Sequence, residues 1–206
     1  MLGVLRRWFI PKPPEAVNAT YIALVTAARN PFFYEKLEVP DTLDGRFELI
    51  VLHLFLLQHR LMLPEGFLAP YATLTPAASS SPGGLRTDKG KREQFAQFLS
   101  EAFFYDMDHS VRELGVADTG VAHRIKKMAK AYTGRLQAYT AGLNDPVALR
   151  AALSRNLYGT VAEGDVAVLD RLAVYVEKVL EQLAATDEAV IARGEFTWPD
   201  VAVMGL

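Results

Sequence analysis

Two carboxylates lie on a predicted helix face that is otherwise apolar. At helical spacing, Asp106 and Glu113 continue the stripe that Leu99 and Phe103 begin. Paired carboxylates can perform general acid–base chemistry, but a buried carboxylate first needs a cation or several hydrogen bonds. We therefore expect structural ion pairs rather than catalysis, with partners among three arginines: Arg46, Arg124 and Arg135.

The histidines are the only other side chains whose spacing resembles a metal site. Asp106 and His109 have the i,i+3 spacing of half a helical di-metal centre, which also needs a second such pair and further glutamates on facing helices. Glu48 has no histidine three residues later, and His53 and His59 lie on different faces of their helix. We expect no metal and no cofactor. A haem- or metal-handling bundle that uses these histidines is the alternative hypothesis.

The sequence contains none of the short motifs that usually indicate an enzyme. The chain has no cysteine, which excludes thiol nucleophiles, thiolate zinc sites and disulfides. It also has no G-x-S-x-G elbow, no H-E-x-x-H motif and no phosphate-binding glycine loop. We predict that the protein is not an enzyme.

The helix predicted near 119–143 is basic on one side and apolar on the other. No acid occurs between Asp118 and Asp145, so the usual i,i+4 ion pairs cannot form along it. We predict that its outer side contacts something anionic, either ribosomal RNA near the exit region or the headgroups of a membrane surface. A solvated surface and a nucleic-acid-binding module are the alternatives. The candidate contact residues are His123, Arg124, Lys126, Lys127, Lys130 and Arg135.

Apolar residues recur at helical spacing along almost the whole chain, which predicts an all-α fold. The stretch 42–63 is apolar on all sides, so we expect it to be the buried central helix of a single-domain bundle. An N-terminal arm is expected at 1–14 and a flexible loop near 75–90, where Pro, Ser and Gly accumulate. We expect Asp118 to cap its helix, Gly115 to end the preceding one, and six main helices near 15–29, 42–63, 91–114, 118–143, 146–159 and 165–185.

The composition is that of one soluble globular domain. The chain has 206 residues, of which 50% are hydrophobic and 22% charged, enough to bury a substantial core. The formal net charge of -2 means that any contact with a polyanion must depend on local clustering of cations. The longest apolar stretch, 49–57, is too short to cross about 30 Å of hydrocarbon. We expect a cytoplasmic protein, or one at the cytoplasmic face of the inner membrane.

The order of residues from 106 to 139 resembles the ubiquinol-cytochrome c chaperone family. An earlier stretch, 27–31 with 41–42 and 47–49, also fits, and the resemblance runs from about 21 to about 180. Two positions depart from the family pattern, because Ala117 stands where a glycine is expected and Thr133 where an aromatic residue commonly precedes Gly-Arg. The matching residues, expected to be structural, include Asp106, Asp108, Arg112, Glu113, Gly115, Asp118, Met128, Tyr132 and Gly134.

This resemblance implies an assembly chaperone that binds newly made cytochrome b, in nascent or apo form, during biogenesis of the ubiquinol-cytochrome c reductase. It implies a small co-chaperone as a further partner, and no DNA. The N-terminal sequence looks more like the bacterial branch than the mitochondrial one. A client groove lined by surplus apolar residues is expected, and membership of the ordinary core is the alternative for each of them: Phe32, Phe33, Phe67, Leu68, Phe103 and Phe104.

Overall fold

The computed structural model describes residues 14–62, 89–113, 115, 117–159 and 165–201. Every regular element within these ranges is helical, which confirms the all-α prediction. Most of the expected arm, the loop at 75–88, Phe67 and Leu68 lie outside them. The elements are α1 (Glu15–Ala28), α2 (Phe32–Glu35), α3 (Leu43–Met62), α4 (Lys89–Glu113), α5 (Asp118–Gly142), α6 (Pro146–Leu153) with a π-helical turn (Ser154–Tyr158), α7 (Val166–Ala185) and α8 (Glu188–Ala192).

Helix α3 is the centre of the bundle. It packs against α1, α4, α5, α7 and the π-helical turn. From Glu48 to Leu61, every residue except His59 is buried, as the continuous apolar sequence predicts. Each fully buried leucine contributes about 1.5–3 kcal/mol to folding, so the other helices are organised around this one.

The turn between α5 and α6 has the signals expected of a helix start. Asp145 accepts hydrogen bonds from the backbone N–H groups of Val147 and Ala148, and Pro146 occupies the first helical position. A Cβ at Gly142 would lie 2.7 Å from Cα of Leu149, so glycine is needed there for the two helices to approach. The turn therefore fixes α6 directly beside the end of α5.

The turn between α4 and α5 agrees with the prediction from the sequence at the end of α4 but not at the start of α5. Gly115 has φ +74°, and its N–H donates to the carbonyl of Arg112, as expected of a glycine that ends a helix. The prediction that Asp118 caps α5 is wrong. Ala117 is the residue before the helix and offers no side-chain cap, and Asp118 is already the first helical residue.

The C-terminal part of the chain closes against α1. The Thr20 hydroxyl donates to the carbonyl of Ile191 at 2.7 Å. Gly194 has φ +69°, and a Cβ there would lie 2.6 Å from the carbonyl carbon of Ala19. Glu188 is buried and accepts from both Arg60 and Arg92, at 3.2 and 3.3 Å. These contacts join the last described helix to α1, α3 and α4.

Candidate partner-binding surface

Five of the six predicted contact residues lie together on the outer face of α5. We use that name for His123, Arg124, Lys126, Lys127 and Lys130, all of which are exposed. No hydrogen bond or ion pair joins their side chains to any other residue that the structure describes. Four exposed cations elsewhere in the described ranges form pairs at 2.7–2.8 Å: Arg46–Asp41, Arg112–Asp108, Lys178–Glu181 and Arg193–Glu195. The outer face of α5 is thus a positive surface that no acidic side chain of the described ranges neutralises.

Arg135 is separated from this surface and faces the core. Its guanidinium donates from Nε and Nη2 to the two carboxylate oxygens of Glu48, and it lies over the ring of Phe47 at 5.7 Å. Burial raises the pKa of the Glu48 carboxyl, and the hydrogen bonds from Arg135 oppose part of that rise. Arg135 therefore holds α5 against α3 and is not part of the outer face.

A second polar contact between the same helices involves Tyr132. Its hydroxyl donates to Oε1 of Gln58 at 2.5 Å, and Nε2 of Gln58 donates to the carbonyl of Ala96 and to Oγ of Ser100. Burial raises the pKa of Tyr132, which keeps the phenol protonated. This network joins α3, α4 and α5, so Tyr132, a residue of the family pattern, helps to hold these three helices together.

Asp106 and Glu113, the two carboxylates on the apolar stripe of α4, have surroundings that differ from our expectation. Asp106 is half-buried and accepts a hydrogen bond of 2.9 Å from the Tyr21 hydroxyl. Burial next to this carboxylate raises the pKa of Tyr21. Glu113 is exposed, Arg46 pairs with Asp41, and Arg135 pairs with Glu48. The prediction of arginine partners is wrong because a hydroxyl from α1 is sufficient for a carboxylate that remains partly in water.

The other residues of the family pattern are distributed between core and surface. Met128 is half-buried and packs against the core. Asp108 pairs with Arg112 along the exposed side of α4 at 2.7 Å. Gly134 is exposed in the middle of α5, and a Cβ there would meet nothing within 4 Å. Packing among the described residues thus explains Met128 but gives no reason for a glycine at 134.

The three histidines of the alternative hypothesis lie next to aromatic rings. His53 is fully buried, and its ring lies beside those of Phe33, Tyr175 and Trp198. His59 stacks on Phe55, and the exposed His109 lies 4.2 Å from the ring of Tyr105. In the described part of the chain, no three His, Asp or Glu side chains converge as a metal site would require.

The apolar candidates for a client groove that the structure describes belong to the core. Phe33 and Phe103 are fully buried, and Phe32 and Phe104 are half-buried against the same cluster. In the described ranges, no helix combines the length and the hydropathy that a membrane span requires.

The chain is similar to known proteins over most of its length. The ubiquinol-cytochrome C chaperone family model matches residues 35–198. The crystal structure of the Cbp3 homolog from Brucella abortus is 34% identical in sequence, with a TM-score of 0.68 over 91% of each chain. No curated protein matches the chain.

Proposed function

Because the chain belongs to the ubiquinol-cytochrome C chaperone family, we propose that it is a non-enzymatic assembly chaperone for the respiratory ubiquinol-cytochrome c reductase. The resemblance seen in the sequence is confirmed, and the Brucella abortus protein is a bacterial member. The client is newly made cytochrome b, and a small co-chaperone is a further partner that the family implies. The observation that carries this proposal is the family match over residues 35–198.

Two buried polar contacts between helices support a scaffold that binds rather than reacts. Arg135 and Glu48 satisfy each other, and Tyr132 is satisfied by Gln58. Each of these groups connects one helix to another, and each carries its hydrogen bonds inside the bundle. Such side chains stabilise a fixed shape, which is what a protein that holds a client needs.

The outer face of α5 supports an anchoring role close to where the client is made. Four exposed Lys and Arg side chains, which form no ion pair within the described ranges, attract phosphate groups, and each is worth about 1 kcal/mol beside an anionic membrane. We infer that this face contacts ribosomal RNA near the exit region or anionic headgroups at the cytoplasmic face of the inner membrane. A nucleic-acid-binding module acting through the same face is the second candidate function.

Deletion of the gene tests the proposal. We expect the deletion strain to lose most of its assembled reductase and of the haem absorbance of cytochrome b. The wild-type gene supplied in trans should restore both. Normal reductase levels in the deletion strain would contradict a chaperone role in this assembly. RNA binding together with normal reductase would favour the second candidate.

A further inference from the structure

A groove of about 240 Å³ lies between α7 and the α5–α6 corner. Its floor is apolar and includes Leu149, Val176 and Leu180, which are all buried. Its rim carries three carboxylates, those of Asp170, Glu177 and Glu181. We call this feature the α6–α7 groove. It is distinct from the outer face of α5, where the charge is positive.

Three of the six large apolar side chains that are exposed in the described ranges lie on α6 and α7, the two helices beside this groove. Val174 lines it and is 40% exposed, and Val147, next to the lining residue Pro146, is 71% exposed. Val166, at the start of α7, is also exposed. Single exposed valines are common, but Val174 adds an exposed apolar side chain to a groove whose floor is already apolar, as an interaction site requires.

The size of the groove favours a side chain of a partner protein over a small molecule. Pockets for small ligands usually enclose about 300–1,000 Å³, which is more than this groove offers. A shallow groove between two helices fits a partner helix that places one or two apolar side chains in it.

The charge of the groove indicates which flanking residues the partner carries. One guanidinium, that of Arg150, lines the groove against the three carboxylates, and it is paired with Asp170. Glu181 contacts Lys178 at 2.8 Å in an exposed ion pair. Such a pair contributes little to stability, so Glu181 can readily exchange Lys178 for a cation of the partner. Glu177 is exposed at the same edge. The remaining negative charge therefore complements a cation beside the apolar anchor.

We propose that the α6–α7 groove binds the cytoplasmic end of a client's hydrophobic helix, at the point where its basic flanking residues begin. Membrane proteins carry an excess of Lys and Arg beside the cytoplasmic ends of their spanning helices. Such an end presents an apolar side chain and a cation within one or two helical turns, the two features that the floor and the rim complement. This inference rests on the proposed function, because it assigns a docking site for the client.

A peptide-binding experiment with the full-length protein tests the inference. The probe is a fluorescent helical peptide with leucines on one side and lysines at one end, and its counterpart has glutamates in place of the lysines. We expect Val174→Asp to weaken the lysine peptide by at least about tenfold, because it places a charge at the apolar anchor site. The matched control is Ile22→Asp on α1, which is 55% exposed and should leave affinity unchanged.

Charge reversal at the rim of the groove separates the contribution of its carboxylates to peptide binding from that of the apolar floor. The double variant Glu177→Lys/Glu181→Lys should weaken the lysine peptide and strengthen the glutamate peptide. Glu15→Lys/Glu35→Lys, which changes the net charge by the same amount at exposed positions away from the groove, should alter neither. Wild-type affinity in both Val174→Asp and the Glu177/Glu181 variant would overturn the inference.

Other occupants give different results. If removal of residues 1–13 raises affinity for the lysine peptide about tenfold, the chain's own N-terminal segment occupies the groove, and the assignment to a client is wrong. If Val174→Asp converts a dimer to a monomer in sedimentation, a second copy occupies it, with the same consequence.

Failure of this inference can be distinguished from failure of the proposed function. A strain carrying Val174→Asp that assembles normal reductase, while the deletion strain does not, contradicts the groove and leaves the chaperone role intact. Normal reductase in the deletion strain contradicts the chaperone role, and the groove is then no client site.

Discussion

The Nε2 atom of His53 lies 2.7 Å from the hydroxyl oxygen of Tyr175, a contact that joins α3 to α7 through the core. The other ring nitrogen, Nδ1, lies 2.7 Å from the carbonyl oxygen of Leu49. Because a carbonyl only accepts, Nδ1 carries the proton and Nε2 accepts from Tyr175. The imidazole is therefore neutral, and both of its nitrogens are satisfied.

This neutral histidine predicts a loss of stability in acid. Burial lowers the pKa of His53 from 6.5 to about 4. Between these values the unfolded chain binds the proton and the folded chain does not, so the stabilising contribution is complete above pH 6.5. It is lost as pH falls towards 4, by up to about 3 kcal/mol in free energy of unfolding. Urea unfolding of the wild type at several pH values measures this loss.

Two variants in that experiment show whether His53 is the group that causes the pH dependence of stability. His53→Gln should lower stability at neutral pH and flatten the dependence between pH 6.5 and 4. His109→Gln removes an exposed histidine and should leave the dependence as it is in the wild type. Equal pH dependence in His53→Gln and the wild type would show that other groups cause the effect.

The contact between Arg135 and Glu48 predicts a large stability effect on α5. Arg135→Ala leaves a nearly buried carboxylate without its cation, and we expect a loss of about 3 kcal/mol in free energy of unfolding. The double variant Glu48→Leu/Arg135→Met removes both charges and should recover most of it. Lys130→Ala, an exposed control on the same helix, should change stability by less than about 0.5 kcal/mol. No gain from the double variant over Arg135→Ala would refute this assignment.

For substitutions on the outer face of α5 we expect the reverse: the affinity for a partner changes, and the free energy of unfolding does not. Lys126→Glu/Lys127→Glu should abolish most binding to ribosomes or to anionic vesicles, whichever the wild type binds, and the wild-type affinity should fall steeply with salt. Lys36→Glu/Arg155→Glu changes the net charge by the same amount at exposed positions elsewhere. Equal loss in the two variants would mean that net charge alone is responsible.

Alanine substitutions at two glycines should change the stability of the protein in opposite directions. At Gly194 an alanine Cβ would lie 2.6 Å from the backbone of α1 at a positive φ, so Gly194→Ala should lower the melting temperature strongly. At Gly134 the space is open and the residue is helical, so Gly134→Ala should add about 1 kcal/mol. Thermal unfolding measures both, and a stabilising Gly194→Ala would contradict the close approach of the C-terminal segment to α1.

Local signals were sufficient to predict the long helices. The sequence indicates helices at 15–29 and 42–63, and the structure has α1 at Glu15–Ala28 and α3 at Leu43–Met62. Prolines, caps and apolar periodicity act within a few residues, so they can be read without the fold. Helix α8 was not predicted because five residues carry too little periodicity, and it depends on distant contacts such as that between Glu188 and Arg60.

The partners of charged residues could not be predicted in the same way. Asp106 and Tyr21 lie 85 residues apart, and only the packing of α1 on α4 brings them together. Arg124 and Arg135 share one flank of α5 in the sequence pattern, but one is exposed and the other is bound to Glu48. A signal was present in α3, because a glutamate in a helix apolar on all sides implies a cation on a neighbouring helix.

The hydrogen bond between Thr20 and Ile191 has a consequence for how the protein is made. The two residues are separated by 171 positions, so α1 emerges from the ribosome long before its partner exists. At about 5–20 residues per second, that interval is roughly 10 to 30 s. Until the segment with this partner is synthesised, apolar surface on α1 and on the neighbouring side of α3 remains exposed to solvent. The chain that we propose as a chaperone for a nascent polypeptide therefore closes late in its own synthesis, after the segment that contains Ile191 has been made.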